Sequence, residues 1–91
     1  MSRRQQLEST EWAKEFKASA PPGTYEAALT IASLDVVHVD IYKSNESGPM
    51  LWHVQYEGQE FPYWKSLFWL DSKKTEDEAR ELCDAMGWVY T

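Results

Sequence analysis

Cysteine is nearly absent: Cys83 is the only one in 91 residues. No intramolecular disulfide can form, and nothing here calls for an oxidising compartment. Long hydrophobic runs are missing as well. No stretch approaches the ~20 apolar residues that a membrane-spanning helix requires, and no apolar segment follows the basic start at Arg3 and Arg4, so the sequence predicts neither an export signal nor a membrane span. A cytoplasmic location is the expectation. Positive charge is scarce too: nine Lys and Arg stand against fifteen Asp and Glu, for a net charge of −6. The acidity is concentrated after residue 45, where four basic residues face nine acidic ones. That balance argues against broad attraction to nucleic acid or anionic membrane, both of which need a positive face to displace counterions. It leaves a basic partner open. There is also no Gly-rich phosphate loop, no paired-cysteine metal motif and no Gly-x-Ser-x-Gly elbow. No cofactor, metal or reaction is therefore expected.

What is present is aromatic side chains. Five Trp, five Tyr and three Phe are packed into a chain whose length predicts one domain spanning residues 1–91, each ring bringing a large area to whatever it touches. Breaks at Pro21-Pro22-Gly23, at residues 44–49, near Gly58 and at Gly87 divide the chain. A first helix is predicted from Ser9 or Thr10 to Ala18, with Trp12, Ala13 and Phe16 on its apolar face and residues 1–8 loosely ordered. Thr24 to Leu34 fits both periods, since Tyr25, Ala28, Leu29 and Ala32 follow helical spacing while Tyr25, Ala27, Leu29 and Ile31 alternate. Pairing with Val37, Val39 and Ile41 across a turn at residues 33–35 decides for a strand. A hairpin around residues 44–49 then sets Ile41 by Trp52, Val39 by Val54 and Val37 by Tyr56. Phe61 to Leu70 is predicted to return as a further strand after a tight turn at Gly58-Gln59. The last helix begins with a capping box at Thr75-Glu76-Asp77-Glu78, buries Ala79, Leu82, Cys83 and Met86, and stops at Gly87 with Trp88 folding back. The predicted fold is α+β: an antiparallel three- to four-stranded meander with an N-terminal and a C-terminal helix on one face.

Two side-chain groups are candidates for function. The first is aromatic, because Tyr63, Trp64, Phe68 and Trp69 fall on both faces of their strand and alternation cannot bury them all. The second is the acidic row Asp77, Glu81 and Asp84, opposite the apolar stripe of the last helix. The bland readings are a filled core and a solvated helix face. On the sheet face away from the core, the predicted register also places Asp40 beside His53, with His38 nearby. An Asp orienting a His is half of a nucleophilic arrangement, but the sequence places no Ser or Cys beside it. Those two His and Asp40 lack any recognised metal-ligand spacing. Cys83 reads as a small buried hydrophobe.

The order helix, strands, helix resembles that of double-stranded RNA-binding domains, and Lys73-Lys74 before the last helix is similar to the lysines with which that family holds phosphates. The likeness stops there, because Glu76, Asp77 and Glu78 follow where the family is basic, and the chain is assigned to no family. The function expected from sequence is a non-enzymatic protein-binding module, a small acidic bacterial or phage regulator or inhibitor. Tyr63, Trp64, Phe68 and Trp69 would anchor the partner, and Asp77, Glu81 and Asp84 would form the electrostatic rim. A homodimer through the aromatic surface, an RNA-binding domain and a small enzyme using the His/Asp pair are the alternatives.

Overall fold

Capping residues cut the first third of the chain into three helices. The computed structural model describes residues 2–46, 48–58 and 66–90 and places α1 at Arg3–Glu8, α2 at Glu11–Ser19 and α3 at Thr24–Ala32. The chain falls into two compact units, Met1–Asp35 and Val36–Thr91. In the first, the stretch read from sequence as loose is α1, closed by a reciprocal cap: the Gln5 amide donates to Ser2 Oγ and the Ser2 amide to Gln5 Oε1. Thr10 caps α2 through Oγ1, which accepts from the Ala13 amide at 3.2 Å. Trp12, Ala13 and Phe16 are buried as the spacing predicts, with the two rings 5.7 Å apart.

The third helix corrects the sequence reading. Thr24 to Ala32 is helical, not a strand, and the helical stripe won: Ala28, Leu29 and Ala32 are fully buried, while Ala27 of the alternating set is exposed. Three alanines and a leucine within this segment favour helix intrinsically, and α1 and α2 supply the packing partners for its face. Gly23 starts the segment at a φ of 92°, which lets the chain turn out of Pro21-Pro22 directly into α3. Arg4 of α1 pairs with Glu26 of α3, and Lys17 of α2 lies over the Tyr25 ring at 5.6 Å.

The second unit holds the sheet. Strands β1 (His38–Ser44), β2 (Leu51–Gly58) and β3 (Ser66–Lys73) form an antiparallel meander. Helix α4 (Glu76–Met86) then crosses to β4 (Val89–Tyr90), which lies parallel to β1, so the order is β3-β2-β1-β4. The sheet is therefore mixed rather than purely antiparallel. The segment lost to α3 is replaced at the edge of β1 by these two C-terminal residues, and the Val89 amide donates to the Val37 carbonyl at 2.8 Å. The β1–β2 register also shifts by two residues from the predicted one. Val39 opposes Tyr56, Ile41 opposes Val54 and Lys43 opposes Trp52. A two-residue shift keeps every side chain on its predicted face, because the strand period is two.

Helix α4 behaves as its sequence demands. Thr75 Oγ1 accepts from the Glu78 amide at 3.2 Å, Ala79 and Cys83 are fully buried, and Leu82 and Met86 are half-buried. Gly87 adopts a left-handed φ of 75°, and the Trp88 amide donates back to the Cys83 carbonyl at 2.9 Å, a Schellman ending with Trp88 buried. The buried strand residues Val39, Val54, Tyr56 and Leu70 complete this core.

Candidate functional site

Alternation sends Val39, Val54 and Tyr56 to the core and leaves the other face of the sheet to polar residues. On this outer face β1 presents Asp40 and Tyr42, and β2 presents His53, Gln55 and Glu57. The predicted Asp40–His53 pair does not form. With the register shifted, Asp40 stands opposite Gln55, and Tyr42 stands opposite His53 with ring centroids 5.3 Å apart. The Tyr42 hydroxyl donates to Gln55 Oε1 at 2.9 Å.

Strand β3 finishes the site by breaking its own alternation. Trp69 opposes Gln55 and Asp71 opposes Val54, so Leu70 is an extra residue in a β-bulge. Strict alternation would put Trp69 and Ser72 on opposite faces. The bulge puts them on the same one, and Trp69 Nε1 donates to Ser72 Oγ at 2.8 Å. Ser72 Oγ also lies 2.7 Å from His53 Nδ1, and His53 Nε2 lies 3.2 Å from the Ser44 carbonyl. A carbonyl can only accept, so Nε2 carries the proton that points at Ser44. In neutral imidazole Nδ1 is then an acceptor, and the Ser72 hydroxyl donates to it. The chain runs Trp69 to Ser72 to His53 to the Ser44 carbonyl, and every proton in it has an acceptor. This satisfaction permits His53 to be 95 % buried, with 5 % exposed, without cost from an orphaned ring nitrogen.

Tyr42, Glu46, His53, Trp69 and Ser72 line an open depression of about 360 Å³ over this chain. Sequence reasoning found His53 and Trp69 but not Ser72 or Glu46. Ser72 was hidden by the bulge, and Glu46 by its place in a loop. Trp69 is 44 % exposed and Leu67, two residues earlier on the same face, 59 % exposed. Both lie on an edge strand. Among the described residues of β1 to β3 the outer face carries no Lys or Arg: Lys43 and Lys73 both oppose Trp52 on the other side.

The remaining candidates are dispersed. Phe68 opposes Tyr56, on the core side and half-buried. Asp77, Glu81 and Asp84 are exposed on α4, which packs on the core side of the sheet, so they do not share a surface with Trp69. Tyr63 and Trp64 lie outside the described residues. His38 is exposed, and among the described residues no three His, Cys, Asp or Glu side chains are grouped to hold a metal ion. Nor is any described helix long and apolar enough to cross a membrane. Cys83 is fully buried, and its thiol is pushed up to about 11 by burial first and by Asp84 and Asp71 second. No protein-family model, curated protein or solved structure matches the chain.

Proposed function

We propose that this chain is a protein-binding module, without catalytic activity, whose contact surface is the outer face of the sheet. The observation that carries the reading is the pair Leu67 and Trp69, both more than two-fifths exposed on one face of an edge strand. Large apolar side chains that stay in water beside polar neighbours are what protein interfaces use as anchors. The partner's surface is basic, because Asp40, Glu57 and Glu46 border these anchors with no Lys or Arg on the described strands of that face. The acidic row of α4 is a solvated helix face in this reading, since it lies on the other side of the sheet.

The Ser72–His53 contact supports binding better than catalysis. His53 is buried and its Nε2 is held by the Ser44 main-chain carbonyl rather than by a carboxylate that would orient and charge-stabilise the ring, so the contact lacks the third member of a nucleophilic triad.

The test is a titration of the isotope-labelled protein with a short Lys- and Arg-rich peptide, followed by amide and indole resonances. Shifts confined to β2 and β3 around Glu57, Leu67 and Trp69, and weakened about tenfold by Trp69→Ala, are expected. Glu81→Lys should leave them unchanged. A response centred on α4, or a concentration-dependent dimer that alone accounts for the shifts, overturns the proposal.

A further inference from the structure

The depression over the buried chain has an unusual shortage of donors. The Tyr42 hydroxyl is given to Gln55, the Trp69 indole N–H to Ser72, the Ser72 hydroxyl to His53 and the His53 Nε2 proton to the Ser44 carbonyl. Glu46 carries none when ionised. With His53 neutral, every side-chain N–H and O–H of these described lining residues is thus committed inward, and an anion or a neutral carbonyl ligand finds no side-chain donor among them. What the described lining residues do offer is the rings of Tyr42, Trp69 and His53 and one formal charge, the Glu46 carboxylate.

Aromatic walls with a carboxylate attract a cation, through the negative faces of the rings and through direct charge. An ammonium or guanidinium group carries three to five N–H donors that must be satisfied when desolvated, and among the described lining residues Glu46 is the one carboxylate. An alkylated ammonium carries few or none, so rings and one carboxylate suffice for it. A site of ~300 Å³ or more is of ligand-pocket size, and about 360 Å³ accommodates a trimethylammonium head with part of its alkyl stem.

We propose that the depression lined by Tyr42, Glu46, His53, Trp69 and Ser72 binds the trimethylated side chain of a lysine on a basic protein segment. The inference rests on the reading of the outer face as a binding surface and names the group that this surface selects. A protein-borne lysine, rather than a free quaternary amine, is the occupant because the depression is continuous through Trp69 with the exposed Leu67, which a flanking peptide would cover.

The experiment compares three probes on the full chain by resonance shifts: tetramethylammonium chloride, a short basic peptide containing one trimethyl-lysine, and the same peptide unmethylated. The trimethyl peptide should bind at least ~10-fold more tightly than tetramethylammonium, because of its flanking contacts, and several-fold more tightly than its unmethylated form. Glu46→Gln, a loop substitution with little bearing on folding, should weaken the methylated peptide by roughly 3- to 10-fold. Trp69→Phe, which keeps a ring, should weaken it less than Trp69→Ala. Equal affinity for the methylated and unmethylated peptides overturns the pocket assignment but leaves the outer face as a basic-protein surface. Tetramethylammonium binding as tightly as the methylated peptide gives the pocket to a free small molecule and overturns the lysine. No response to any of the three overturns both readings.

Discussion

His53 Nδ1 and Ser72 Oγ stand 2.7 Å apart, directly opposite each other on paired strands whose bulge also brings Trp69 to the same face. Ser72→Ala would leave the Trp69 indole and His53 Nδ1 without this common partner. A loss of ~1–3 kcal/mol of stability is expected from chemical denaturation. Asp40→Asn should change stability by less than ~0.5 kcal/mol, because Asp40 faces Gln55 and takes no part in the chain. If the two substitutions cost the same, the hydrogen-bond order deduced here is wrong.

Tyr56 folds its ring over Gly58. A Cβ added at Gly58 would lie 2.8 Å from Tyr56 Cε2 and 2.9 Å from Oη, too close for either to remain where it is. Gly58→Ala should therefore destabilise the sheet unit by ~1–3 kcal/mol. In a Tyr56→Leu background the same change should cost far less. A double-mutant cycle measures the coupling, and additive effects would mean that the ring moves aside freely.

The Cys83 thiol gives a pH-dependent term of known sign. Its folded value, about 11, lies above the ordinary 9.0 because burial disfavours the thiolate. The folded state thus holds its proton to higher pH than the unfolded state. The contribution is complete below about pH 9 and is lost as pH rises through 11, on the order of 2 kcal/mol. Denaturation midpoints of wild type and Cys83→Ala should converge across that window. Alkylation of the native protein at pH 8 should be slow and should accelerate only with denaturant. Rapid native labelling would contradict the burial.

Leu67 is exposed, and under the proposed reading it serves contact rather than folding. Leu67→Lys should leave thermal stability within ~0.5 kcal/mol of wild type, while adding positive charge to a face that has none on its described strands and weakening binding of a basic peptide. A cooperative loss of stability would return Leu67 to the core.

Much of the second unit was legible in the sequence because its signals are local. Thr75 and Glu78 mark the start of α4, Gly87 and Trp88 its end, and the alternation of Val37, Val39 and Ile41 fixes which face of β1 is buried. The choice between helix and strand at residues 24–32 was not local. Both periods include Tyr25 and Leu29, and the strand reading rested on a pairing with β1 that β4 in fact occupies. A two-residue strand such as Val89–Tyr90 has too short a pattern to be read. The site was half legible for a related reason. His53 lies on the predicted face, but its partner depends on register, and a shift of two residues replaces Asp40 with Tyr42 without altering a single buried position.

The extra residue at Leu70 makes β3 a strand written in two frames. Residues before it and after it obey opposite parities, so odd-numbered Leu67 and Trp69 share a surface with even-numbered Ser72. The outer face is in consequence set by the bulge as well as by side-chain chemistry. Removing one residue between Trp69 and Ser72 would restore a single parity and still leave the indole and the serine on one face, two residues apart, whereas pairing the present chain without the bulge would send one of them through the sheet to the other side. Homologous chains that keep this depression are therefore expected to carry the bulge and the three-residue spacing of Trp69 and Ser72 together, or to lose the bulge and one residue together.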